Sequence, residues 1–451
     1  MPLGLLTDFY QLTMAAGYFQ AAKTRERATF ELFVRRLPHN RNFILAAGLA
    51  QAVEYLLELR FTSEEIDYLR GLPQFRQTSP EFFEMLAGLR FTGDLFAVPE
   101  GTPMFAGEPF LTLRAPLLEA QIAETYLLST IGFQSLIATK AARVVKAAMG
   151  REVVEFGTRR AHSPEAGVLA GRAAYIGGCA GTSNAEAGLR YQLPLFGTAS
   201  HAWVMSFSTE NESFEQLQKL LGDSAVYLID TYDTIEGANR AAALGPPLWG
   251  VRLDSGNLVE LAPAVRAILD RAGLRDAKIM ATGDLNEYKI HELVAAGAPI
   301  DVFGVGTELA TSADAPSLGV IYKMVEMQES SAEEQRYTLK LSVDKATLPG
   351  AKQVFRYPDH DVLARSSECP ACPGGSGQLD AGVEALLHPV ILGGRLLEPP
   401  PSAFEIRRHA AECLAKLPSP CHSLFESHAW RVEVSPELSA LDEQVRRGAA
   451  R

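Results

Sequence analysis

Residues 196–203, Phe-Gly-Thr-Ala-Ser-His-Ala-Trp, end a short apolar run and set one histidine, His201, among small residues and hydroxyls. A neutral imidazole can act as a nucleophile at physiological pH, which a protonated lysine cannot. Three other segments of the middle region end alike: Glu155-Phe156-Gly157-Thr158-Arg159-Arg160, Val251-Arg252-Leu253-Asp254-Ser255-Gly256 and Phe303-Gly304-Val305-Gly306-Thr307. Together they offer hydroxyls, guanidinium groups, a carboxylate and backbone N–H groups. Those are the parts of a site that grips a phosphorylated sugar and one small anion.

Each segment also has a plainer reading. Gly304, Gly306 and Thr307 follow an apolar stretch, where glycines let backbone N–H groups turn toward a phosphate, or simply make a turn. Arg252 and Asp254, two residues apart on a strand, share one side of it. The Asp suits two ribose hydroxyls and the Arg a phosphate or carboxylate, although the two could equally brace a rim. Phe156 with Arg159 and Arg160 suits an aromatic anion, by stacking plus charge, or is a core ring beside solvated arginines. Cys369-x-x-Cys372 invites zinc, but a structural site needs four ligands, and Cys413, Cys421 and His422 lack paired spacing. No residue is therefore assigned to a metal.

A repeating unit must position these groups. From about residue 150 to 310 a short apolar strand, a polar turn and a helix recur, with strands at 152–156, 225–229, 248–253, 278–281 and 301–305 and weaker candidates at Cys179 and Phe196. Ser163-Pro164, Thr209-x-x-Glu212, Asp233-x-x-Glu236 and Asn257-x-x-Glu260 read as helix starts. About seven such units without a dinucleotide glycine fingerprint predict a closed or nearly closed parallel barrel rather than an open sheet. The chemical residues lie just after strand C-termini, where barrel sites form.

The flanks read differently. Residues 27–35 alternate like a strand, residues 93–114 read as short antiparallel strands, and residues 337–357 as a hairpin around Pro349-Gly350. Residues 366–382 read as a loop-rich linker. The expected division is an α/β domain over 1–118, a barrel over 119–320 and a further segment, 321–451, packing on the first.

Composition bounds the class. The chain has 451 residues, 47% of them hydrophobic and 21% charged, as in soluble globular proteins. A net charge of −12 disfavours nucleic acid or an anionic membrane as partner. The first residues carry no basic region ahead of an apolar core, no run reaches the roughly 18 apolar residues of a membrane span, and five cysteines are sparse, so a cytoplasmic protein is expected.

The ordered set of segments resembles the nicotinate phosphoribosyltransferase family. It runs from Thr7-Asp8-Phe9-Tyr10-Gln11 through residues 155–161, Gly181-Thr182-Ser183-Asn184, 197–203, 252–257, 282–287 and 304–309 to near residue 355. That resemblance implies an irregular, TIM-like βα barrel, a second α/β domain built from N- and C-terminal segments, and a homodimer with shared sites. By it, His201 is phosphorylated by ATP, Tyr10 and Phe156 flank the pyridine ring, Thr198 and Arg252 contact nicotinate, and Arg159 adds a basic group. Gly304, Gly306 and Thr307 match the phosphate loop, and Asp254 the ribose-facing carboxylate. Two positions depart from it: Ala202 where serine is common, and Asn257 where many members have aspartate.

The implied reaction joins nicotinate to phosphoribosyl diphosphate, with ATP as co-substrate and magnesium at the departing diphosphate. Nicotinamide phosphoribosyltransferase commonly has an acidic residue where Ser183 stands, and a carboxylate there would repel nicotinate. Quinolinate phosphoribosyltransferase needs more basic groups and lacks the His201 context. From another class, a non-catalytic metabolite-binding barrel is disfavoured by His201, Asp254, Arg159 and Thr307 standing together.

Overall fold

The computed structural model describes residues 3–328, 335–342, 346–371 and 379–449. It divides into two compact units: Met1–Ser135 with Ser317–Pro401 and His409–Arg451, and Leu136–Pro316 with Ser402–Arg408. No helix of the described residues is long and apolar enough to cross a membrane.

The second unit carries the chemical segments. Its strands are β1 (Glu152–Glu155), β2 (Gly181–Thr182), β3 (Val226–Leu228), β4 (Gly250–Leu253), β5 (Lys278–Ala281) and β6 (Val302–Val305). All pair in parallel, in the order β2-β1-β6-β5-β4-β3. Each strand neighbours its sequence successor from β3 to β6, and β6 then returns to β1, Val302 opposite Glu152. An open sheet would leave the first and last strands apart. Here they meet, and the ring has instead one seam without a paired strand, between β2 and β3. The Phe196 candidate is there only an isolated bridge, Leu195 opposite Thr182. The expected irregular βα barrel is present, with six strands in place of about seven units. The Cys179 candidate is displaced to β2.

Helix starts follow the predicted caps, with one difference. The side chains of Ser163, Thr209 and Asp233 accept the N–H of the third residue on, satisfying one orphan donor each. Asn257 accepts from Val259 instead of Glu260, so it caps without forming the box.

The first unit is α/β and is built from both ends of the chain. Its seven-stranded antiparallel sheet sets Arg27–Val34 between Val320–Gln328 and Pro109–Pro116. Both faces of Arg27–Val34 are covered, seven of its eight residues being buried. The hairpin expected around Pro349-Gly350 does not form. Gln335–Tyr337 pairs with Val320–Gln328, whereas Lys352–Arg356 pairs with Asp361–Arg365 around Pro358-Asp359. The chain does bend at Gly350, whose φ is +78°, but a bend does not dictate which strand comes next beside it.

Candidate active site

Arg252 is the hub of the barrel mouth. It lies near the C-terminal end of β4, between β3 and β5 and opposite Leu228 and Met280, so its side chain starts inside the ring and is only 12% exposed. Its Nε donates to the Thr282 hydroxyl at 2.9 Å. One terminal nitrogen donates to the Thr198 hydroxyl at 2.6 Å and the Ala199 carbonyl at 3.3 Å, and the other to Asp254 Oδ1 at 2.7 Å. Of five guanidinium N–H groups, four are thereby engaged and one remains for an incoming anion.

Asp254 is half-buried. Burial would raise its carboxyl pKa, but the hydrogen bonds from Thr282 and Arg252, the charge of Arg252 and the nearby His201 together hold it below the usual carboxylate range. The backbone is equally constrained: Gly283 has a φ of +92°, and a Cβ there would collide with the Asp254 carbonyl. Asp230, just past β3, accepts the Asp254 N–H at 3.0 Å and the Ser255 hydroxyl on Oδ2, while its buried Oδ1 has no hydrogen-bond partner among the described residues.

His201 is not at a strand end. It opens the short helix His201–Met205, reached after the seam strand has given out. Its Nδ1 lies 3.1 Å from the Thr231 hydroxyl, and its Nε2 lies 3.6 Å from Asp254 Oδ2, beyond hydrogen-bond reach. With its side chain 41% exposed, the ring is accessible to a ligand.

A second group surrounds the ends of β1, β2 and β6. Buried Glu155 accepts the Gly157 N–H and, at 2.6 Å, the Thr182 hydroxyl, which in turn receives the Asn184 N–H at 3.0 Å. Burial pushes the Glu155 carboxyl up, against those two bonds. This clamp sets the turn that presents Phe156 and the exposed Arg159, and the exposed Ser183. Gly304 joins the two groups: a Cβ on it would stand 2.6 Å from the Thr282 methyl and 2.8 Å from the Phe156 ring. Any side chain there displaces one of them. Gly306 precedes the short helix Thr307–Ala310, with Thr307 exposed.

The structure thus brings Thr198, Arg252 and Asp254 into one hydrogen-bonded network with His201 3.6 Å from Asp254, and sets Phe156 against Gly304. Tyr10 belongs to the first unit, on the helix Phe9–Gln20, and is 49% exposed. Asp230, Thr231, Thr282 and Glu155 were not among the candidates. Glu155 ends β1, Thr282 directly follows β5 and Asp230 lies two residues past β3, and that placement is their available signal. Of the paired cysteines, Cys372 lies outside the described residues, as do residues 372–378 of the linker at 366–382. Among the described residues no group of three or more His, Cys, Asp or Glu could hold a metal ion.

Comparison with known proteins gives three family matches. The nicotinate phosphoribosyltransferase (NAPRTase) N-terminal domain matches residues 5–132, the quinolinate phosphoribosyl transferase C-terminal domain residues 137–316, and the nicotinate phosphoribosyltransferase C-terminal domain residues 379–442. The chain is 43% identical to a nicotinate phosphoribosyltransferase of Mycobacterium tuberculosis over 442 residues, 96% of this chain and 92% of that one. It is 42% identical to that of Bacillus subtilis over 362 residues, 78% and 73% of the two chains. The crystal structure of human nicotinic acid phosphoribosyltransferase superposes with a TM-score of 0.84 at 30% identity, covering 98% of this chain and all of that one.

Proposed function

The chain belongs to the nicotinate phosphoribosyltransferase family, and on that premise we propose that it joins nicotinate to 5-phosphoribosyl 1-diphosphate in the cytoplasm, with ATP hydrolysis coupled. The products are nicotinate mononucleotide and diphosphate. The observation that carries the reading is the Arg252 hub, which holds Thr198, Thr282 and Asp254 beside His201 at the mouth of the barrel.

The pyridine nitrogen has a free lone pair, so the step needs no general base. What the chain supplies is alignment, worth roughly 7–11 kcal/mol of the barrier when the reacting atoms are held in line. Thr198 and the remaining N–H of Arg252 take the nicotinate carboxylate, Arg159 adds positive charge, and Phe156 flanks the ring. Asp254, kept ionised, accepts from the ribose hydroxyls, and Gly304, Gly306 and Thr307 take the 5-phosphate. A magnesium ion, when bound, neutralises the departing diphosphate. Asp254 and Asp230 fit it, since magnesium uses one or two carboxylates plus substrate phosphates and Asp230 has an unpartnered oxygen.

His201 takes the γ-phosphoryl group of ATP: the Nε2 lone pair forms the N–P bond as ADP leaves, and water later takes the phosphoryl group. Thr231 holds Nδ1 and so leaves Nε2 for that role. A phosphoryl group on Nε2 competes with Asp254 for Arg252, which couples the ATP cycle to the nicotinate pocket.

Purified protein with phosphoribosyl diphosphate and either nicotinate or nicotinamide, with and without ATP, tests the reading by detection of mononucleotide. Nicotinate is expected to be used about 100-fold more efficiently, because the amide gives the remaining N–H of Arg252 and the added charge of Arg159 no anionic partner. Equal efficiency on the two substrates refutes the acid preference.

The site is proposed to be shared within a homodimer, with Tyr10 stacking on nicotinate from a neighbouring subunit. Such stacking contributes about 0.5–1.5 kcal/mol, so Tyr10→Ala should weaken nicotinate binding more than phosphoribosyl diphosphate binding. Mixing Tyr10→Ala and Asp254→Ala dimers should place both lesions in one site and restore the other. No recovery of activity after confirmed subunit exchange would mean that Tyr10 serves its own chain.

A further inference from the structure

Lys140 lies within the helix Glu124–Ala147, and its side chain is only 1% exposed. A buried ammonium is tolerated only where carboxylates replace its water. Three do so: Glu287 at 2.5 Å, Asp314 at 2.9 Å and Glu308 at 3.9 Å. Arg143, about one turn further on, donates to Glu287 at 3.0 Å and to the Tyr288 hydroxyl at 3.2 Å.

The partners come from two different loops. Glu287 opens the helix that follows β5, and its own segment begins at Gly283, the glycine pressed against Asp254. Glu308 and Asp314 follow β6, and Glu308 is the immediate neighbour of Thr307. Glu308 and Asp314 therefore place negative charge close to residues proposed to receive a phosphate. Left alone, they would repel that phosphate and each other.

We propose that Lys140 is a positioning residue for the phosphate loop: its ammonium ties the loop after β6 to the loop after β5 and neutralises the carboxylate beside Thr307. The inference rests on the assignment of Gly304, Gly306 and Thr307 to the 5-phosphate. It deepens that assignment, since the cation acts through the loop and never touches substrate.

Steady-state kinetics of the full-length protein test it. Lys140→Met is expected to raise KM for phosphoribosyl diphosphate about tenfold while changing KM for nicotinate less than about threefold. Adding Glu308→Gln to that variant should restore most of the loss in KM for phosphoribosyl diphosphate, because the carboxylate adjacent to Thr307 is then gone, even though Glu287 and Asp314 remain. An unchanged KM for phosphoribosyl diphosphate overturns the proposal. So does a parallel rise in both KM values that Glu308→Gln leaves in place, which is the mark of a merely structural lysine. If Lys140→Met does not melt cooperatively, Glu308→Gln alone decides: a fall of about twofold in KM for phosphoribosyl diphosphate supports the proposal, and no change or a rise overturns it. Thr307→Val separates the two layers. A raised KM there beside an indifferent Lys140→Met removes only the positioning role, whereas indifference at Thr307 itself removes the phosphate assignment.

Discussion

His201→Ala will take up no phosphate from γ-labelled ATP, whereas the parent protein will acquire a label that is lost in acid and retained in base. The variant should also lose its stimulation by ATP and keep slow, ATP-independent synthesis, because the residues proposed to align nicotinate and the ribose are untouched. The ring is 41% exposed and makes one hydrogen bond, to Thr231, so the fold should lose little, within about 0.5 kcal/mol. Labelling of the variant at the level of the parent would move the phosphoryl acceptor to another residue.

The largest loss of activity is expected at Arg252. Its guanidinium holds Thr198, Thr282 and Asp254 at once, and each partner is left unsatisfied when it is removed. Truncating a buried hydrogen-bonded charge costs about 2–5 kcal/mol, so Arg252→Met should lower kcat/KM on the order of 1,000-fold. The pH profile should change with it. In the parent, the Asp254 carboxyl lies below its ordinary range, so it remains ionised across neutral pH and its stabilising contribution fades only as pH falls through that lowered value. Without the guanidinium, burial pushes the carboxyl upward, and an acid limb should enter the residual activity at higher pH than in the parent. A loss under tenfold, or superimposable acid limbs, would show that Arg252 is not the hub of the reaction.

Much of this site was legible because strands impose their own geometry. Residues 252 and 254 share a face by the two-residue period, and the rule that barrel chemistry gathers past strand ends located Gly304 to Thr307 as well. Asp230 and Thr282 obey the same rule, an Asp after Ile229 and a Thr after Ala281, but the groups they hold, the Asp254 N–H and the Arg252 guanidinium, belong to another strand more than twenty residues away in sequence. Nothing beside Lys140 in the sequence marks it, its neighbours being Thr139, Ala141 and Ala142. Only the fold shows that its side chain is enclosed by three carboxylates from segments 147 to 174 residues downstream. The failed hairpin has the same origin: local residues specify a bend at Gly350, but strand partners are chosen by distant surfaces.

The barrel meets head to tail where β6 lies against β1, and this is the junction on which the loop proposed to take the 5-phosphate depends. Phe156 donates its N–H to Val305, and Gly304 carries the Phe156 ring, so neither loop has its shape until both strands are joined. On the proposed assignment of these loops, substrate binding is therefore a reading of the joined ring alone. By linkage, any ligand that recognises only that form shifts the equilibrium toward it, by about 2.7 kcal/mol at one hundred times its dissociation constant. A cell rich in phosphoribosyl diphosphate would thus hold more of this enzyme intact than a depleted one, with no dedicated regulator.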